Sequence, residues 1–301
     1  MNMMKLYGHL YAFLSVFFWS ALYVSTKILL ESFTPLTLLI MQFIVGYTLL
    51  ILWKPKRLRT KNMKEEVYFI LAGLFGITIY NLFLNLAMDY SLASNVSVII
   101  ATAPLFTGIF SFILKIEKPY INFFIGFCIC IVGIFLLSFN GNFNISINPL
   151  GDFFAIISAI GWGIYAVIIA RITKMNYDII LTTRRVIFYG IVFIIPAFFF
   201  LDIHFDIEKL TKPINFLNLL FLGVFSSGIC FIIWNKATQL IGAVKTNIYV
   251  YLTPIITIVV SMIVLDEKIT FVMFIGIILT LLGVILSEYK NAKTQGKKDS
   301  L

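Results

Sequence analysis

Residues 73–93 read GLFGITIYNLFLNLAMDYSLA, and residues 223–243 read GVFSSGICFIIWNKATQLIGA. Laid over each other without a gap, Gly73, Phe75, Asn85, Ala87 and Ala93 fall on Gly223, Phe225, Asn235, Ala237 and Ala243. The same register carries Pro104 onto Pro254, Glu117 and Lys118 onto Glu267 and Lys268, and Gly126 and Gly133 onto Gly276 and Gly283. Upstream, at an offset of 143, Gly8, Ala12, Ser15 and Trp19 fall on Gly151, Ala155, Ser158 and Trp162. Self-similarity over most of a chain is the mark of a duplication. Each copy consists of long apolar runs, so the duplicated unit belongs in a bilayer.

Composition agrees. With 60% hydrophobic and 12% charged residues in 301, and a mean hydropathy of +1.00, the chain has more apolar surface than a water-soluble core of this length can bury. The runs are long enough for helices to cross a hydrocarbon core of about 30 Å, and they lack the alternation of barrel strands. Ten spans are expected, at 7–29, 34–53, 67–88, 91–114, 120–139, 151–171, 179–201, 215–236, 243–265 and 270–289. The first is too long for a signal-peptide core and is read as retained. Cys128, Cys130 and Cys230 all fall inside spans as small packing residues, without a metal or disulfide pattern.

Loop charge tests the span count, because Lys and Arg in short loops favour the cytoplasmic side. With the N-terminus inside, seventeen of the 23 basic residues are cytoplasmic. Only Lys209, Lys212 and Lys268 lie opposite, and Lys27, Arg184 and Arg185 fall within spans. The net charge of +9 is therefore a topology signal, and no nucleic-acid partner is expected. Five helices per copy make the second half enter from the other side. The expected organisation is a first repeat over 1–140, an inverted second repeat over 141–290, and a disordered basic tail over 291–301. Inverted repeats suit alternating access around a site near the midplane.

Trp19 through Lys27 followed by Pro35, Ala103-Pro104 followed by Glu117-Lys118, Thr253-Pro254 followed by Asp266-Glu267-Lys268, and the closing Gly276 to Gly283 helix occur in an order that resembles the EamA-type branch of the drug/metabolite transporter superfamily. The resemblance implies a multi-pass carrier in a bacterial inner membrane. Where that family usually has an Arg in the second helix this chain has Gln42, while the repeat-equivalent position holds Arg185.

Polar side chains inside spans are costly and so become candidates for function. The candidates for substrate binding are Trp19, Tyr23, Gln42, Thr78, Tyr80, Asn81, Trp162, Arg185, Asn247 and Tyr251. Ser15, Trp19, Tyr23 and Lys27 recur every four residues along one helical face, and Ser158 and Trp162 repeat the start of that stripe. Asn247, Tyr251 and Pro254 are read as sharing a face of the ninth helix. Arg185 has two readings, an anion-attracting charge in the cavity or a structural pair. Arg184 and Lys27 are candidates for a charge or gating role; otherwise Arg184 is expected to snorkel toward headgroups, and Lys27 to reach the outer interface or pair with Glu31. Glu117 and Glu267 are capping or gating candidates. Pro104 and Pro254 each remove a backbone hydrogen bond at matched places, predicting paired kinks.

No nucleotide loop, metal cluster, paired carboxylates or nucleophile with a base appears at depth, so neither an enzyme nor a cofactor is expected. The expected function is transport of a small polar metabolite, an amino acid or related zwitterion or anion, by a chain acting as a monomer in the bilayer. The alternatives are an exporter of drugs or other organic compounds and a channel-like facilitator.

Overall fold

A computed structural model describes residues 3–114, 121–139, 149–242 and 246–298. Among these residues all regular structure is helical. Seven helices are long and apolar enough to cross a membrane: α1 Met3–Leu30, α2 Pro35–Trp53, α3 Met63–Tyr90, α4 Ala93–Ile113, α6 Pro149–Thr173, α7 Ile179–Phe199 and α8 Pro213–Ile241. Three apolar helical stretches are shorter, within α5 Ile121–Phe139, α9 Tyr249–Val264 and α10 Phe271–Lys298. α10 runs on into residues read from the sequence as a disordered tail, a stretch that holds good helix formers such as Ala, Lys and Gln.

Local chemistry sets the helix starts. Thr34 accepts from the Thr37 amide with Pro35 in the first turn of α2, and Asn62 accepts from the Glu65 amide at 3.0 Å. Asp178 accepts from the Leu181 amide at 3.1 Å. Each satisfies an amide that the first helical turn leaves without a partner.

The packing exchanges elements between the two halves. α1 packs on α8 and α9, and α6 packs on α3 and α4. α2 crosses the middle of α8, α7 crosses the middle of α3, and α5 pairs with α10. Water does not drive helices together inside a bilayer, so close approach of small residues has to. A Cβ on Gly46 would stand 2.9 Å from the Gly223 carbonyl oxygen, and one on Gly73 2.7 Å from the Gly190 nitrogen. At the α5–α10 seam a Cβ on Gly283 would meet the Gly126 oxygen at 2.6 Å, and one on Gly133 the Gly276 oxygen at 2.8 Å.

Where α3 and α8 take these crossings, both switch to π-helix, at Gly73–Ile79 and Phe221–Ile229. Thr78 on the π segment of α3 reaches across the helix pair, its Oγ1 donating to the Gly190 carbonyl of α7 at 2.8 Å. α4 breaks at Ala101–Thr102, and Pro104 lies in the first turn of its second piece. Pro254 likewise lies in the first α-helical turn of α9, after a 3-10 turn at Ile248–Tyr251.

Candidate functional site

Ser15 and Ser158 fix the two halves onto each other. Ser15 Oγ donates to the Cys230 carbonyl at 3.4 Å, and its counterpart Ser158 donates to the Tyr80 carbonyl at 2.7 Å. One turn further along α1 and α6 stand Trp19 and Trp162, whose rings meet edge to face at 5.3 Å. Trp234 lies 5.2 Å from Trp19 and 5.8 Å from Trp162, and Phe231 and Tyr165 close the cluster. Tyr80 lies 4.8 Å from Trp162 on the opposite side. Beside them is a void of about 20 Å³ rimmed by Trp19, Tyr23, Tyr80, Trp162 and Thr253. That is room for about one water molecule. The rings thus form an aromatic plug: Trp19, Tyr23, Tyr80 and Trp162, read from the sequence as candidates for one pocket, stand together around this small void.

The two tryptophans are not equivalent. Trp19 Nε1 donates to the Ser226 carbonyl at 3.1 Å. By the repeat register the matching acceptor for Trp162 is the Gly76 carbonyl, but Asn81 Nδ2 donates to it at 3.1 Å and to the Ile77 carbonyl at 2.9 Å. The repeat counterpart of Asn81 is Phe231, which cannot compete in the same way for Ser226. Trp162 Nε1 is left buried without a hydrogen-bond partner. Such a donor costs about 1–3 kcal/mol, which is a reason to look for a ligand at this atom.

The other expected residues divide into groups. Gln42 is buried on α2 with its Oε1 also unpartnered, whereas Thr78 and Asn81 spend their donors on helix carbonyls. Val250 and Thr253 line the void from α9, while Tyr251 packs with Leu105, Phe123 and Val284 in a separate cluster. The 3-10 turn advances about 120° per residue instead of 100°, so the face drawn through Asn247, Tyr251 and Pro254 does not hold; Asn247 is buried just before that turn.

The charged candidates lie toward the ends of the helices. Lys27 Nζ donates to the Met88 and Ser91 carbonyls at 2.6 and 2.9 Å, capping the C-terminus of α3, where a cation suits the helix dipole. Glu267 accepts from the Ala93 amide at 2.7 Å, the Ser94 amide at 3.1 Å and Ser94 Oγ at 2.6 Å. It therefore caps α4 from beyond α9 in the other half. Glu117 lies outside the described residues.

On the face carrying the basic loop, Arg184 is the more buried of the two arginines, at 8% exposure, and donates to the Lys54 and Lys56 carbonyls. Arg185 pairs with Glu66 at 2.6 Å, and Tyr189 and Thr60 donate to the same carboxylate. α3 begins four residues before the expected span, which brings in Glu66 as the acid missing from the sequence reading. Lys54 meets Asp178 at 2.6 Å. Burial of Asp178 opposes ionisation, yet Lys54 and the Leu181 amide outweigh it and hold the carboxyl below the usual range. Sequence reasoning also passed over Trp234, Phe231 and Tyr165, because it sought duplicated aromatics and Trp234 faces Leu84 in the repeat.

The model of the EamA-like transporter family matches residues 6–139 and again 149–289. An uncharacterized transporter of Archaeoglobus fulgidus is 27% identical over 94% of this chain and 97% of its own length. One of Clostridium kluyveri is 25% identical over 97% and 96%. The uncharacterized transporter YdfC of Bacillus subtilis is 25% identical over 90% and 88%. A crystal structure covering 94% of this chain and 96% of its own superposes with a TM-score of 0.66 at 17% identity, a likeness of fold.

Proposed function

The chain belongs to the EamA-like transporter family, a multi-pass membrane family, and from that premise we propose that it carries an amino acid or a related zwitterion across a bacterial inner membrane by alternating access. In this reading ten spans form two inverted halves, 1–140 and 141–290, with both termini cytoplasmic and the substrate held at the aromatic plug. The observation that carries it is the free indole N–H of Trp162, buried beside a void rimmed by aromatic faces. A carboxylate accepts from that N–H. The accompanying ammonium lies against the rings of Trp19 and Tyr80, where a desolvated cation–π contact contributes about 2 kcal/mol. Arg185, bound to Glu66, takes no part in this recognition.

A void with room for one water does not admit such a substrate unless the plug opens. Binding is therefore tied to separation of the mixed bundles α1–α8–α9 and α3–α4–α6, which is the coupling alternating access requires. A closed plug also argues against a facilitator that conducts continuously.

Counterflow in proteoliposomes tests the proposal. Amino acids are expected to exchange saturably, and Trp162→Phe to lose that exchange while Arg185→Gln, if folded, keeps it. Ready exchange of quaternary amines with none of amino acids or organic anions would overturn the substrate class in favour of export of organic cations.

A further inference from the structure

A second cavity lies apart from the aromatic plug. It is a groove of about 490 Å³ between the last turns of α2 and the first turns of α7, with Tyr47 and Phe188 6.3 Å apart in its wall. Ile51 continues the apolar wall, and Arg57, Arg184 and Arg185 form its polar end.

The helix faces fix the direction in which it opens. On α7 the inward positions are Thr183, Val186, Ile187, Gly190 and Ile194, all buried, with Thr183 accepting from Asn235 of α8. Phe188, Val192 and Ile195, about one, two and three turns on from Arg185, are exposed, as are Ile44 and Ile51 on α2. In a multi-pass membrane protein an exposed apolar helix face meets lipid. α2 ends at Trp53 and α7 begins after Asp178, so the arginines lie where hydrocarbon gives way to headgroups.

The charges are unbalanced. Glu66 answers Arg185. Arg184 is bonded to carbonyls only, and Arg57 is exposed; among the described residues neither has a carboxylate within ion-pair distance. A cationic recess with an apolar wall at this depth matches one ligand class, a phosphate carried on acyl chains.

We propose that the groove between α2 and α7 is a binding site for an anionic phospholipid, its phosphate held by Arg57 and Arg184 and an acyl chain laid along Ile51 and Phe188. The site is distinct from the aromatic plug and stands or falls independently of the substrate.

Native mass spectrometry of the full chain in mild detergent tests it, with dioleoylphosphatidylglycerol and dioleoylphosphatidylcholine as probes. The phosphatidylglycerol is expected to be retained preferentially. Arg57→Gln removes an exposed side chain with no partner among the described residues and is expected to weaken that retention about fivefold. Arg59→Gln deletes the same charge from an exposed loop position outside the groove and is expected to leave retention unchanged. Equal retention of the two lipids, equal effects of the two variants, or displacement of the lipid by inorganic phosphate would each overturn the proposal, the last by assigning the groove to a soluble anion.

Discussion

At the scale of single residues, the two tryptophans differ in their partners. Trp19 donates to the Ser226 carbonyl, whereas Trp162 has a donor to offer and the Gly76 carbonyl that matches Ser226 in the repeat accepts from Asn81. Trp162→Phe removes a hydrogen bond only in the liganded protein, and a bond to a charged carboxylate is worth about 1.5–3 kcal/mol. Substrate affinity is therefore expected to fall about 10- to 100-fold in a thermal-shift titration. Asn81→Leu tests the cause without touching an aromatic ring: it releases the Gly76 carbonyl to Trp162 and is expected to weaken substrate binding in the same direction. Unchanged affinity in a folded N81L protein would disprove the competition. The sequence made both tryptophans legible as a pair, but their difference in hydrogen-bond partners is a tertiary feature that no spacing rule reports. Asp178 gives a pH prediction at the same scale. Its folded pKa is depressed, so the Lys54 clasp stabilises the protein above the unfolded value of about 3.9 and is lost as pH falls through the lower folded value. Asp178→Asn is expected to flatten the acid limb of thermal stability in detergent.

Among the elements, the helices were readable and their departures from regularity were not. The hydropathy runs gave the segments, whereas the start signals at Thr34-Pro35, Asn62 and Asp178 have local causes that the expected spans did not use, which is why α3 begins four residues early. The π segments in α3 and α8 have no such local signal. Their glycines are visible as a repeat, but the wide turn accompanies a neighbouring helix packed against the backbone, with Gly73 against Gly190 and Gly223 against Gln42 and Val45. On α9, whose first turn is 3-10, the residues that rim the void are Val250 and Thr253, while Tyr251 packs in another cluster. Gly73→Ala and Gly223→Ala put a Cβ within 2.7 and 2.5 Å of atoms in the facing helix. Each is expected to cost about 1–3 kcal/mol by overpacking, measured as lost thermal stability. Gly242→Ala has open space around the new methyl but a φ of +84° with ψ of 157°, a region essentially reserved for glycine, so its cost of about 1–3 kcal/mol comes from the backbone alone.

For the whole molecule, the exchange of helices between halves sets one tie at Glu267, between the mixed bundles, and another at Lys54, between α2 and α7. Glu267 follows α9 of one mixed bundle and caps α4 of the other. Lys54 at the end of α2 and Asp178 at the start of α7 join two further elements on the face with the basic loop. If the bundles part on one face while closing on the other, these links cannot all persist through a cycle. The α5–α10 seam, by contrast, lies between two helices packed mainly on each other, with Cys130 Sγ donating to the Thr280 carbonyl at 3.2 Å. Cross-linking separates the two cases. In a background lacking Cys128, Cys130 and Cys230, a short thiol cross-linker between cysteines placed at Ser94 and Glu267 is expected to abolish counterflow, with recovery on cleaving the linker. The same linker between Cys130, retained in a second background, and a cysteine at Thr280 is expected to leave exchange close to that of the uncross-linked protein. Full exchange with the Ser94–Glu267 link in place would mean that α4 and α9 never separate on that face, and the aromatic plug would then have to open by ring rotation alone.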